Sequence, residues 1–321
     1  GTIVEGKEDT ATEKIARLEA AGIPVVERID AIPDAVFEPM FRCYRATVDA
    51  HYYGRRYLNR DELTRRRHGY GRGPRMKIEK DSFDILSGVR GGTTIGSPVA
   101  IVIRNSEYED KWAHVMPVEG VPGGRKLTRP RPGHADLPGM LKYDFDDARN
   151  VLERASARET TARVAIGTLA KSLLAQVGIE VLSHIVRIGE AAVPEGSSLP
   201  ASGDLEAIDA SPVRCFDPVA AEAMVEAIDR AGGDGDSLGG IVEIVVFGVP
   251  TGLGSHVHWD RKLDGRLAGG LMAVPAIKGV EFGDGFGLAG RRGSASHDEI
   301  EPDMTRRTSR AGGTEGGMTI G

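Results

Sequence analysis

The order of strand-like and helix-like segments restricts the fold of this chain more than any other feature. Two strand patterns follow each other directly in "MKIEKDSFDILSG" and "SPVAIVIRN", whereas helical patterns come later, around the strands "IEVLSHIVRIG" and "GGIVEIVVFGVP". A doubly wound parallel sheet needs a helix after each strand, and this order does not supply one. We therefore predict an α+β fold with mainly antiparallel sheets.

Three helices are predicted from their start signals and apolar spacing. In "RASARET", Ser156 and Glu159 form a capping box that opens a helix ending at Gly178. Asp217 is the predicted N-cap of "DPVAAEAMVEAIDRAGG", and a third helix is predicted over about 261–273. The predicted apolar stripe of the first helix comprises Ala162, Ala165, Ile166, Leu169, Ala170, Leu173, Leu174 and Val177.

The character of the sequence changes twice near its start. Residues 1–36 alternate strand and helix patterns as an α/β fragment, and residues 37–58 are an aromatic and basic junction. From Asn59, the N-cap of a short helix that Gly69 ends, the pattern is regular. We therefore divide the chain into 1–36, 37–58 and a core over 59–321.

Composition excludes several classes of function. The net charge of −6 over 321 residues argues against a general nucleic-acid binder, and no apolar run approaches the roughly 18 residues of a membrane span. Cys43 and Cys215 are unclustered, which excludes a zinc site built on cysteines and favours the cytoplasm. His256 and His258 are placed on one strand face in "GSHVHWD", but no third ligand is evident, so we predict no metal.

An arginine cluster surrounds the glycine-rich sequence "HGYGRG". Arginines make forked hydrogen bonds to anions, and glycines let backbone amides approach an anion closely. The cluster therefore suits a phosphate or a carboxylate, although a solvated basic face or an RNA-binding patch remain as alternatives. Its members are Arg65, Arg66, Arg67, Arg72 and Arg75.

Two further segments are candidates for ligand binding. The helix start at "RASARET" presents free amides, to which Arg154 and Arg158 add charge, although a well-capped helix explains the same residues. The terminal "TSRAGGTEGGMTIG" is either a loop suited to a flat ligand or a frayed tail.

A single histidine lies within the stretch "RPRPGHADLPG", residues 129–139. Its prolines and glycines predict a shaped loop rather than a helix, with His134 held between Arg131 and Asp136. Because imidazole titrates near neutral pH, His134 is a candidate proton donor or acceptor.

Eight motifs, in order, resemble the chorismate synthase family over about residues 59–321. They are "RRRHGYGRGPRMKIEKD", "ILSGVRGGTTIGSPVAIVIRN", "RPGHAD", "RASARET", "GDSLGG", "GLGSHVHWDRKLDGRLAGGLM", "IKGVEFGDGF" and "TSRAGGTEGGMT". Residues 1–36 instead resemble the C-terminal end of a succinyl-CoA synthetase α-subunit. The main resemblance implies helices packed between two antiparallel sheets, a homotetramer, and elimination of phosphate from 5-enolpyruvylshikimate-3-phosphate with reduced FMN.

The resemblance also assigns residues. Arg66, Arg72 and Arg75 would hold the substrate and, in members that reduce their own flavin, NADPH. His134 would lie beside the flavin and tune or supply its proton. The residues implied to line the FMN site are Arg154, Ala155, Ser156, Pro275, Ala276 and Gly316.

The sequence departs from the family at both ends. The "GESHG"-type motif with a second histidine does not occur, and His51 is the nearest candidate for its role, at too short a spacing. The family's "KPxST" and "RSD" segments are not found before Gly321. We expect a family fold that is incomplete at both ends and a severely impaired or inactive chain, and the alternative function is a non-catalytic flavin- or anion-binding fragment.

Overall fold

The structure, a computed structural model, describes residues 62–72, 81–91, 93–155 and 157–320. The chain forms two compact units, one of residues 1–55 and 85–100 and the other of 56–84 and 101–321. Our predictions for 1–36 and 37–58, and those for His51, Arg75 and Ser156, lie outside the described residues. The three-part division of the chain stays a prediction.

The strand pairs whose register is described are antiparallel, as the sequence order predicted. Strand β1 (Phe83–Ser87) forms a two-stranded sheet with β4 (Ala100–Ile103). Between them, β2 (Val89–Arg90) and β3 (Thr93–Thr94) make a short antiparallel hairpin.

A three-stranded antiparallel sheet organises the larger unit. Strand β5 (Glu180–Ile188) lies at its centre, between β6 (Ala191–Ala192) and β7 (Gly240–Phe247). The β5–β7 register runs from Glu180 opposite Phe247 to Ile188 opposite Gly240, with a bulge between Ile185 and Arg187. These ladders confirm the α+β prediction with antiparallel sheets.

The main apolar core forms where helix α5 (Pro218–Gly233) packs against this sheet. Its start is the predicted one, because Asp217 Oδ1 accepts a hydrogen bond from the Ala220 amide at 2.8 Å and Pro218 occupies the first helical position. Met224 is fully buried and contributes most to this core by volume. The buried members are Val213, Cys215, Ala220, Ala221 and Met224.

The long helix predicted after "RASARET" is confirmed as α3 (Ala157–Gln176), but its predicted apolar stripe is only partly buried, at Ala165 and, to a lesser degree, Leu169 and Leu174. Ile166 is 65% exposed, and Leu173 and Val177 are exposed as well. Hydroxyl side chains can occupy the buried face because the helix satisfies them, as when Thr168 Oγ1 donates to the Val164 carbonyl at 2.8 Å. The buried residues are Thr161, Ala165, Thr168 and Ser172.

The remaining elements of the larger unit are short. The helix predicted over 261–273 is α6, and it follows a 3₁₀ turn at Trp259–Arg261. In the described part of the chain, no helix is both long and apolar enough to cross a membrane. Helix α6 spans Leu263–Met272. The other helices and strands of this unit are α1 (Asp136–Tyr143), α2 (Arg149–Leu152), α4 (Leu205–Ala210), β8 (Thr314–Glu315) and β9 (Met318–Thr319).

Candidate functional site

The arginine loop follows a helical turn over 62–65 and brings Arg66 and Arg72 together. Arg66 Nη1 lies 2.6 Å from Asp81 Oδ2, and both side chains are nearly buried. Arg72 Nη1 donates to the Arg66 carbonyl at 2.5 Å. Asp81 adopts a left-handed φ of 45°, a conformation that aspartate tolerates better than most residues. Arg66 therefore has a fixed carboxylate partner, whereas Arg72 is held by a carbonyl.

The electrostatics of Arg72 favour an anionic ligand. Part of the side chain is exposed, but burial of the rest and then the neighbouring Arg66 charge lower the pKa of Arg72. A bound phosphate or carboxylate would relieve both effects, since it offsets desolvation and repulsion at once.

The loop is fixed in place by helix α5 and the segment before it. The Tyr70 amide donates to the Pro212 carbonyl at 3.0 Å, and the Tyr70 hydroxyl donates to Asp229 Oδ2 at 3.2 Å. A Cβ on Gly71, whose φ is +72°, would lie 2.5 Å from Ile228 Cγ2. Only glycine fits this close approach, so the glycine-rich sequence shapes the loop that carries Arg72.

Arg65, in contrast, has a structural role. Its guanidinium lies 2.6 Å from Glu62 and 2.8 Å from Asp209, and Lys171 of α3 reaches the same Glu62 at 2.7 Å. Burial raises the pKa of Glu62, but the hydrogen bonds and charges of Lys171 and Arg65 outweigh it and leave that pKa lowered. Arg65 is therefore held by carboxylates of the fold, and the five-arginine anion site stays a prediction.

The stretch around His134 is only partly the loop that we predicted. Residues 131–134 turn, but helix α1 starts at Asp136 and includes Pro138 and Gly139. Proline is compatible with the first turn of a helix, where its missing amide has no helical acceptor. His134 is exposed immediately before this helix, with Nδ1 3.0 Å from the Pro132 carbonyl oxygen.

Helices α1 and α2 lie in the chain between His134 and the predicted flavin residues Arg154 and Ala155, and they pack against each other. A Cβ on Gly139 would lie 2.8 Å from the Val151 methyl groups, so the absence of a side chain allows the two helices to pack closely. His134 precedes the first helix, while Arg154 and Ala155 follow the second. Arg154 is exposed and Ala155 is half-buried.

The first turns of α3 connect to the other predicted flavin residues. Arg163 Nη2 donates to the Ala273 carbonyl at 3.1 Å, which fixes the start of the segment that contains Pro275 and Ala276. Ala276 has a φ of +72°. Such a conformation costs a non-glycine residue about 1–3 kcal/mol, and strain of this kind clusters at functional sites.

Arg158 does not add its charge freely to this helix start. Its guanidinium carbon lies 4.3 Å from the Trp112 ring centroid, and Nη1 donates to the Glu153 carbonyl at 3.3 Å. The cation–π contact holds Trp112 over the helix start.

The glycine-rich C-terminal segment is ordered rather than a frayed tail. β8 and β9 form a hairpin whose turn is Gly316 and Gly317, with φ of 60° and 90°. Lys262 Nζ donates to the Gly316 carbonyl at 3.2 Å, and the Leu263 amide donates to the Gly317 carbonyl at 2.8 Å. Gly316 therefore lies at the start of α6, whereas Pro275 follows its end.

We predicted that the two histidines of "GSHVHWD" lie on one face of a strand, and this prediction is wrong. His256 and His258 are exposed in a bend that leads into the 3₁₀ turn. Among the residues with described positions, no group of three or more histidine, cysteine, aspartate or glutamate side chains could hold a metal ion.

Sequence reasoning missed two residues of these surroundings. Asp81 fixes Arg66 across 15 residues, a non-local pairing that no motif signals. Trp112 covers Arg158. The chain contains only two tryptophans, and this scarcity is the one sequence signal that could have drawn attention to Trp112.

Most of the chain matches known proteins. A family model described as chorismate synthase matches residues 56–321. Chorismate synthases from Thermobifida fusca and Streptomyces coelicolor are each 58% identical, over 81% of this chain and 69% of theirs. That from Frankia alni is 58% identical over 86% of this chain and 74% of its own. A crystal structure of chorismate synthase superposes with a TM-score of 0.67 at 40% identity, covering 82% of this chain and 72% of that one.

The fold and its relatives define the class of protein as an α+β enzyme. The chain belongs to the chorismate synthase family. It is accordingly a lyase of aromatic biosynthesis that forms chorismate.

Proposed function

We propose that this enzyme eliminates phosphate from 5-enolpyruvylshikimate-3-phosphate in a 1,4-anti reaction that depends on reduced FMN. The observation that carries the proposal is the family match over residues 56–321, which contain the Arg66–Arg72 pair and His134. The substrate bears one phosphate and two carboxylates, so it requires several cationic groups in one pocket.

Arg66, Arg72 and Arg75 are the proposed anion-binding residues, and NADPH is a second proposed ligand of the same arginines. Support comes from the lowered pKa of Arg72, caused by burial and by Arg66, because a bound anion would reverse both effects. Asp81 sets the direction of the Arg66 guanidinium. Arg72 is held by a carbonyl, so its guanidinium should respond more strongly to a bound anion.

The proposed FMN site combines residues just before α3 with residues at both ends of α6. Arg154 supplies a cation just before the start of α3, where the helix dipole is positive, and Ala276 has a strained φ of +72°. These residues would hold reduced FMN, which would supply electron density for C–O cleavage and recover it on C–H cleavage, with no net redox change. The proposed FMN-site residues are Arg154, Ala155, Ser156, Pro275, Ala276 and Gly316.

His134 is the proposed catalytic residue, and its role is to hold or move a proton at the imidazole. Its exposure at the start of α1 keeps the ring accessible to ligands. Loss of one positioned acid or base typically lowers a rate by about 10²–10⁴-fold.

We also propose a cytoplasmic homotetramer. The edge strand β7 supports association, since Ile241, Val242, Ile244 and Val246 are each 45–53% exposed. Analytical ultracentrifugation tests this point, and a monomer at micromolar concentration would contradict it.

The catalytic proposal is tested by single-turnover phosphate release under anaerobic conditions, with enzyme in excess and FMN reduced beforehand. Because enzyme is in excess, even an impaired chain should release chorismate and phosphate in equal amounts, at a rate that falls by about a further 10²–10⁴-fold in His134→Ala. An unchanged rate in the variant would contradict the role of His134. Complete absence of product in the unmodified chain would favour the non-catalytic binding alternative.

A further inference from the structure

The loop before His134 is closed by one buried carboxylate. Asp136 is 1% exposed, and its Oδ2 accepts hydrogen bonds from the Arg131 amide at 3.0 Å and from Arg131 Nε at 2.9 Å. Its Oδ1 accepts a third from Arg131 Nη2 at 3.1 Å. The bond to the backbone amide closes a six-residue loop, and the two side-chain bonds hold the carboxylate in place to accept it.

The closed loop fixes one tautomer of His134. Nδ1 lies 3.0 Å from the Pro132 carbonyl oxygen, which can only accept a hydrogen bond. The neutral ring must therefore carry its proton on Nδ1, and Nε2 keeps its lone pair. Pro132 and Gly133, whose φ is +71°, direct the carbonyl toward the ring only while the loop holds this shape.

We propose that Asp136 is a positioning residue that holds His134 in the Nδ1–H tautomer, with Nε2 as the single atom that exchanges a proton. This inference rests on the proposed catalytic role of His134 and adds the atom and the residue that select it. Arg131 and Asp136 are the charged neighbours of the ring. They pair with each other, and the partner of Nδ1 is the Pro132 carbonyl. The carboxylate stays ionised in neutral solution because the Arg131 side chain, above all, lowers the pKa of Asp136 to about 2.

The chain offers a matched control in Asp147. This carboxylate also closes a local turn with an arginine, accepting from the Arg149 amide at 3.0 Å and from Arg149 Nη1 at 3.0 Å. It further accepts from the Leu127 amide at 3.2 Å, outside the 131–136 loop, and no histidine lies between Asp147 and Arg149. Replacement of either aspartate by asparagine removes the same charge from the same type of contact.

The test is the tautomer of His134 measured by two-bond ¹H–¹⁵N NMR at alkaline pH, with the signal assigned from His134→Gln. We expect the unmodified protein to show Nδ1–H, Asp147→Asn to keep it, and Asp136→Asn to shift toward the Nε2–H form that free histidine prefers. Nε2–H in the unmodified protein, or unchanged Nδ1–H in folded Asp136→Asn, would overturn the proposal.

Two further measurements keep the proposal falsifiable. If Asp136→Asn does not fold, Arg131→Gln is the second variant, because it removes two of the three hydrogen bonds to Asp136. We expect a mixture of His134 tautomers in this variant. A pure Nδ1–H signal would overturn the positioning role of Asp136. In folded Asp136→Asn, the single-turnover rate should fall by about 10–100-fold, as expected of a misplaced catalytic group. An unchanged rate beside a rate loss in His134→Ala would refute the positioning role alone, whereas unchanged rates in both would refute the catalytic role of His134.

Discussion

Replacement of Gly254 by alanine probes the contact that holds the glycine-rich hairpin against α6. Gly254 has a φ of +104° and forms an isolated bridge with Met318 of β9. A Cβ at this position would lie 2.3 Å from the Gly317 carbonyl oxygen and 2.9 Å from Leu263 Cβ. Both neighbours belong to fixed elements, so either the hairpin turn or the start of α6 must move.

The expected cost is the sum of two effects. An L-residue in the left-handed region loses roughly 1–2 kcal/mol, and overpacking of a close contact adds about 1–3 kcal/mol. Gly252 is the matched control, because its φ is +91° and a Cβ there would meet nothing within 4 Å. We therefore expect Gly254→Ala to reduce the free energy of unfolding by about 2–5 kcal/mol and Gly252→Ala by about 1–2 kcal/mol.

Urea unfolding followed by circular dichroism measures the difference between the two variants, and FMN titration measures its effect on the hairpin. Because Gly316 belongs to the proposed FMN site, Gly254→Ala should also weaken FMN binding more than Gly252→Ala does. Equal destabilisation in the two variants would refute the reasoning from the close approach.

Three further changes have defined outcomes. Met224→Ala should lower the free energy of unfolding by about 2–5 kcal/mol in urea, because Met224 is fully buried in the main core; a loss below 1 kcal/mol would contradict that packing. The native pKa of Asp136 lies below its ordinary value, so the ionised form stabilises the fold above about pH 4, and this contribution is lost as pH falls towards about 2. Asp136→Asn should therefore reduce the loss of unfolding free energy between about pH 4 and pH 2. The same loss in the variant and the unmodified protein would contradict this prediction. Arg72→Gln should weaken substrate binding by about 10–100-fold in calorimetry, while Arg104→Gln, which removes only an exposed pair with Asp84, should leave it unchanged.

Local signals in the sequence predicted local structure well. Asp217 followed by proline marks the start of α5, and the hydrogen bond to the Ala220 amide confirms it, because capping depends on neighbouring residues only. The antiparallel pairing was also predictable, since it follows from the order of the strands. Motif resemblance identified the family, which the comparisons confirm.

The failures have physical causes in packing and in turn chemistry. The buried face of α3 carries hydroxyls such as Thr168, which the apolar pattern ignores because the backbone satisfies them. Proline at position 138 indicated a loop, yet the first turn of α1 accommodates it. Asp81 was unpredictable because its pairing with Arg66 depends on the tertiary fold.

The most direct test of the central claim is titration of the chain with FMN in the presence and absence of 5-enolpyruvylshikimate-3-phosphate. If the proposed substrate arginines and FMN residues serve one reaction, each ligand should increase the affinity for the other by the same factor. We predict that substrate tightens FMN binding at least about 5-fold, within the usual range of such coupling, and that Arg72→Gln abolishes the effect. Failure to bind either ligand, or an FMN affinity that is the same with and without substrate, would contradict the account.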